Sequence, residues 1–126
     1  MAIATLRRPP ANAMDQALLT AIAETFATLG ADAGVGAVVL TGAGRSFCAG
    51  LDLKAVHGVG EAEQQALLDA LNRAFLAVYD CPVPVVGAIN GHAIAGGLVL
   101  ALCCDRRIAA DAPFQAGLTE VRVGIP

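Results

Sequence analysis

Charge is scarce in this chain. Only 15% of its 126 residues are charged, and no run of lysine or arginine accompanies the net charge of −3. The pairs Arg7-Arg8 and Arg106-Arg107 stand alone, so no basic stripe exists for a duplex, and a nucleic-acid partner is not expected. The 4 cysteines, Cys48, Cys81, Cys103 and Cys104, include no Cys-x-x-Cys spacing. They read as free, mostly buried thiols of a reducing, cytoplasmic protein. The 2 histidines, His57 and His92, lie too far apart to share a helix face, and no metal site is expected. Long apolar runs are missing too. The stretch from Ala93 to Cys104 is short and broken by glycine, and the opening segment meets Arg7-Arg8-Pro9-Pro10 without a long apolar core. Neither a membrane span nor a leader is expected.

What the chain does have is apolar residues, at 56%, and 14 glycines. That composition suits a single packed domain. Ala2 to Leu6 reads as a strand cut off by Pro9-Pro10. Asn12 is placed to cap a helix whose buried face carries Leu18, Ile22, Phe26 and Leu29, with Gly30 ending it. Val35 to Leu40 reads as a buried strand, and a loop from Thr41 to Leu53 follows it. A second helix from about Glu61 to Tyr79 buries Leu67, Leu71, Phe75 and Val78. Val85 to Ile89 is a second buried strand, Gly91 to Gly97 a loop, Leu98 to Cys104 a short helix, and Arg107 to Ala110 a strand. Alternating strands and helices imply an α/β fold with parallel pairing. The order strand, glycine-rich loop, helix occurs twice, which favours stacked β-β-α turns over one doubly wound sheet.

Several catalytic motifs fail on inspection. In Gly42-Ala43-Gly44-Arg45-Ser46-Phe47 a phenylalanine stands where a dinucleotide fingerprint needs its third glycine, and no Gly-Lys-Ser/Thr follows as a phosphate loop would require. Ser46 lacks the flanking glycines of a nucleophile elbow. Cys48, with His57 or His92, is a weak candidate nucleophile, because cysteine is commonly a small buried hydrophobe.

Three stretches carry a resemblance. SFCAGLDLK (Ser46 to Lys54), INGHAIAGGLVLALCCDRRI (Ile89 to Ile108) and GLTEVRVGIP (Gly117 to Pro126) stand in that order behind LRRPPANAMD (Leu6 to Asp15). Together they resemble the crotonase, or enoyl-CoA hydratase/isomerase, superfamily. The resemblance implies an α/β, crotonase-like (ClpP/crotonase) spiral of ββα units. Family members are roughly twice this length, so residues 1–126 are read as a partial crotonase-like domain, its N-terminal core only, without the C-terminal helical part. It also implies an acyl-CoA thioester as substrate, with coenzyme A a part of that substrate and no separate cofactor. A homotrimer or dimer of trimers is implied for the full-length protein.

By motif position, the resemblance gives the thioester oxygen to the backbone N–H groups of Leu51 and Gly96. Such donors, aimed where an enolate oxygen develops, are worth about 3–4 kcal/mol each when removed. Gly96 has no Cβ to obstruct a ligand, and a helix beginning there adds the positive end of its dipole. Ala49, Leu51, Asp52, Leu53, Lys54 and Gly96 are the implied substrate-binding residues. Asp52 is read as a carboxylate that structures its loop, and Lys54 as a candidate for the nucleotide phosphates.

Hydratases of the family use two glutamates. At the first of those positions this chain has Val99, and at the second Glu120. Valine neither holds nor activates water, whereas one carboxylate suffices to move a double bond. The expectation is therefore a Δ3,Δ2-enoyl-CoA isomerase with Glu120 as its catalytic acid–base, its pKa raised by Val99, Leu118 and Val121. The alternatives are an enoyl-CoA hydratase whose second carboxylate comes from elsewhere, and a truncated, non-catalytic acyl-CoA-binding fragment.

Overall fold

A computed structural model describes residues 1–56 and 59–119. Its elements run β1 (Ala2–Leu6), α1 (Gln16–Ala31), β2 (Val38–Gly42), β3 (Ser46–Cys48), α2 (Leu53–Val56), α3 (Glu61–Tyr79), β4 (Val85–Ile89), β5 (His92–Ile94), α4 (Gly96–Leu102), β6 (Arg106–Ala109) and β7 (Ala116–Gly117). Two parallel sheets result, one in the order β1-β2-β4-β6 and the other in the order β3-β5-β7. Consecutive strands β2 and β3, then β4 and β5, then β6 and β7 each step from the first sheet to the second. Helices α2 and α3 return the chain after the first of these pairs, and α4 after the second. This is the expected spiral of ββα turns.

The periodicity of the sequence explains the main elements. In β2 and β4 buried and half-buried residues alternate, with Val38 and Leu40 on one strand and Val85 and Ile89 on the other facing the core. Each strand is covered fully on one face only, where the sequence suggested burial on both. Helix α1 buries Leu19, Ile22 and Phe26, and α3 buries Leu67, Ala70, Ala74 and Val78. Leu18, Leu29, Leu71 and Phe75, expected in the centre of those faces, flank the core instead. Helices α1 and α3 pack on each other, and the buried line of α3 runs through the small residues Ala70 and Ala74.

The start of α1 needs correction. Asp15 is its N-cap, accepting from the Leu18 amide at 2.9 Å. Asn12 is instead 1% exposed with φ of 55°. Its side-chain amide donates to the carbonyls of Ala43, Ser46 and Phe47, while its Oδ1 accepts from the Arg8 amide. The helix also continues one residue past Gly30, to Ala31 with Asp32 as C-cap. The two glycine-rich segments read as loops contain the short strands β3 and β5, which pair in parallel.

Candidate active site

Two glycine-rich segments meet above the buried side chain of Met14. One is Ala49 to Leu53, which leaves β3. The other is Ala95 to Gly97, which opens α4. An ideal Cβ placed on Gly50 would lie 3.3 Å from the Gly96 nitrogen, and one placed on Gly96 would lie 3.8 Å from the Gly50 Cα and 3.0 Å from Met14 Cε. Gly50 has φ of +88°, and its missing Cβ would sit 2.8 Å from the Ile94 carbonyl oxygen. Only glycine meets both conditions there.

The orientation of the Leu51 amide follows from its neighbours. Residues 11–14 run alongside 49–52 as a strap. Ala49 donates to the Ala11 carbonyl at 3.0 Å, Met14 donates to the Gly50 carbonyl at 2.7 Å, and Asp52 donates to the Met14 carbonyl at 2.9 Å. In a planar trans peptide the C=O and N–H point in opposite directions. Because the Gly50 carbonyl faces Met14, the Leu51 N–H faces away from the strap. The same reasoning applies at Gly96. The Ala95 carbonyl points into α4, accepting from the Leu98 and Val99 amides at 2.9 and 3.2 Å, so the Gly96 N–H is directed out of the helix. Neither the Leu51 nor the Gly96 amide has an acceptor among the described residues.

Around this pair lies an ionic cluster. Arg8 Nη2 donates to Asp52 Oδ2 at 2.7 Å, Nε to Asp15 Oδ2 at 2.8 Å and Nη1 to the Ala13 carbonyl at 3.0 Å. The other oxygen of Asp52, Oδ1, accepts from the Lys54 amide at 3.0 Å. Those bonds, led by the one from Arg8, hold the Asp52 carboxyl below its ordinary pKa. Asp52 is thus a loop-structuring carboxylate at neutral pH, in line with the sequence reading. Leu53 and Lys54 are exposed on α2, and Ala49 and Leu51 are half-buried.

The thiol candidate does not survive. Cys48 is buried, its Sγ lies 3.1 Å from the Asn12 carbonyl, and burial pushes its pKa up to about 11. A thiol held neutral is no nucleophile. His92 is exposed, with Nδ1 accepting from the Gln115 amide, and His57 lies outside the described residues. Val99 is half-buried on α4. Glu120 and Val121 also lie outside the described residues. Leu118, expected to give Glu120 apolar cover, is 59% exposed. Among the described residues no group of acidic, histidine or cysteine side chains is arranged to hold a metal ion, and no helix is long and apolar enough to cross a membrane.

This paired-sheet scaffold with two converging backbone turns has close counterparts. Residues 1–126 match the enoyl-CoA hydratase/isomerase family. The chain belongs to that family. The mitochondrial enoyl-CoA delta isomerase 1 of Mus musculus is 36% identical over 127 residues, spanning 99% of this chain and 44% of that protein. Among solved structures, an enoyl-CoA hydratase from Bacillus anthracis superposes with a TM-score of 0.91 at 38% identity, covering 98% of this chain and 48% of the other. An enoyl-CoA hydratase from Mycobacterium smegmatis gives 0.90 at 35% identity over 98% of this chain and 48% of the other. The chain spans about half the length of the curated relatives it matches.

Arg8, Asn12 and Met14 are the site-shaping residues that sequence reasoning missed in this enoyl-CoA hydratase/isomerase family member. Beside local bonds, each has partners 31 or more residues away at Ala43 to Asp52, beyond the reach of any local pattern. One signal was available: Asn12 is a lone amide between alanines, a setting in which burial demands several hydrogen-bond partners.

Proposed function

We propose that the chain carries the thioester-activating half of an acyl-CoA site, and that the whole protein moves a double bond in enoyl-CoA from Δ3 to Δ2. The carrying observation is the pair of acceptor-free amides on Leu51 and Gly96, borne by segments so close that a Cβ added to Gly50 would lie 3.3 Å from the Gly96 nitrogen. A thioester carbonyl oxygen accepting from both would be polarised toward an enolate, the charge redistribution that removal of a C2 proton requires. Ala49 to Lys54 would line the coenzyme A side, with the Lys54 ammonium free to approach phosphate. Residues 1–126 then form the N-terminal part of a crotonase-like domain, and coenzyme A arrives with the substrate.

In this mechanism the Glu120 carboxylate takes the C2 proton. The C2–H electron pair delocalises through the dienolate, and the oxygen charge is held by the two amides. The resulting carboxylic acid returns the proton to C4 as the C3=C4 bond shifts to C2=C3, so no proton is lost or gained. Val99 favours this single-carboxylate reading, since it leaves the start of α4 without an acid for holding water. The names of the hydratases from Bacillus anthracis and Mycobacterium smegmatis support the second reading, hydration of a 2-enoyl thioester.

Assays with 3-enoyl-CoA and with crotonyl-CoA separate the two. Glu120→Gln is expected to lower isomerisation by about 10²-fold or more while acyl-CoA still binds. Unchanged turnover would remove Glu120 from the mechanism. Rapid hydration of crotonyl-CoA by the unaltered protein would replace the isomerase reading with the hydratase one.

A further inference from the structure

We propose that Arg8 is a positioning residue, whose guanidinium fixes the direction of the Leu51 amide. The inference rests on the reading of Leu51 and Gly96 as paired donors to a thioester oxygen. The Leu51 N–H is aimed indirectly, through the Met14 amide gripping the Gly50 carbonyl and the Met14 carbonyl gripping the Asp52 amide. Whatever holds Met14 in register with Gly50 therefore aims the donor. Arg8 holds that register from both sides. It bonds to Ala13 and Asp15, which flank Met14 on the strap, and to Asp52, which follows Leu51 on the opposite segment.

Its main chain joins in, since the Arg8 carbonyl accepts from the Asn12 amide at 2.7 Å and the Arg8 amide donates to Asn12 Oδ1 at 3.0 Å. The start of the strap is thereby fixed to the same residue whose side chain crosses to the loop. Every guanidinium nitrogen of Arg8 has a protein acceptor, so a rigid planar fork spans three points that a lysine ammonium cannot reach together. The side chains of Arg8, Asp15 and Asp52 remain 35%, 28% and 19% exposed. Ion pairs that wet add little to stability, which leaves geometry as the larger consequence of the network.

The test uses Arg8→Gln and Arg8→Lys, with steady-state isomerisation of 3-enoyl-CoA and the absorption red shift of a bound donor-substituted cinnamoyl-CoA. That shift reports polarisation of the thioester carbonyl by the two amides. A donor displaced by a fraction of an ångström loses transition-state stabilisation before it loses binding. Arg8→Gln is therefore expected to lower kcat by about 10- to 100-fold with KM changed less than about threefold. The red shift should shrink in parallel, and Arg8→Lys should recover part of both. A folded Arg8→Gln with unaltered kcat and red shift overturns the inference, as does a rise in KM alone, which would mark a direct substrate contact. If Arg8→Gln does not fold, Arg8→Lys decides: a diminished shift supports positioning, and an undiminished one overturns it. An unaltered protein that binds the chromophore with no red shift overturns the paired-donor reading itself, and this inference with it.

Discussion

Ala95 sits at φ 52° and ψ −124°, a region that a residue with a Cβ enters only against steric resistance. Those torsions swing the Ala95–Gly96 peptide so that its carbonyl serves the first turn of α4 while its N–H turns outward. The Ala95 amide, donating to the Gly117 carbonyl at 2.8 Å, pins the other side of the residue. The strain is thus localised at the residue that aims one of the two proposed donors. Glycine reaches the same torsions without a Cβ clash but loses more backbone entropy on folding. Relief of strain of about 1–3 kcal/mol against an entropic penalty of about 0.5–1 kcal/mol leaves a net gain. Ala95→Gly is accordingly expected to raise the unfolding free energy by about 1 kcal/mol, read from the urea midpoint at constant m-value. A lower midpoint would mean that the surrounding bonds, rather than steric resistance, dominate at this position.

Helix α4 is held by its contact with β3. A Cβ on Gly97 would collide with the Cys48 carbonyl, and because that atom is backbone, the helix itself must move. Gly97→Ala is expected to cost about 1–3 kcal/mol of stability, and to lower the proposed isomerisation more than acyl-CoA binding by tilting the Gly96 amide. Calorimetry and steady-state kinetics on one preparation check both. This short helix also marks what the sequence could and could not reveal. The bounds of long elements with a steady period, α3 and β4, were legible in the sequence, because apolar side chains three, four or two positions apart mark them; which of those side chains the packing buries most deeply was not. The strands β3 and β5 were not, since each spans three residues inside a glycine-rich segment and exists only through pairing with strands distant in sequence, β3 with β5 and β5 with β3 and β7. Asn12 and Asp15 are both good helix caps three positions apart. The choice between them was made by carbonyls more than 30 residues away, which claim the Asn12 amide. The two candidate donors are backbone atoms without a residue signature of their own. They became candidates only through the family resemblance that the surrounding motifs carry.

Across the whole molecule, the strap, the second sheet and α4 converge on Cys48. Its thiol donates to the Asn12 carbonyl, its own carbonyl packs against Gly97, and Ala93 of β5 stands opposite it in the sheet. Desolvation raises this thiol to about 11, partly offset by the Gly50 amide, and raises Cys104 to about 12. The folded state therefore keeps a proton that the unfolded chain releases near a thiol's ordinary pKa of about 8.5. Wherever the folded state binds the extra proton, stability falls as pH rises, by up to about 1.4 kcal/mol per pH unit for each such thiol. Stability should be insensitive to these groups below about pH 8 and decline steadily between about pH 9 and 11. Cys104, whose thiol is also pushed up by burial, acts in the same direction over the same range. Because Cys48 joins three parts of the fold, its ionisation should weaken them together and preserve a single cooperative transition. Guanidinium unfolding at pH 7, 9 and 10.5 should show the midpoint falling above pH 9, with a shallower decline in Cys48→Ala. Parallel pH profiles for the two proteins would mean that Cys48 ionises as freely in the folded state as in the unfolded one.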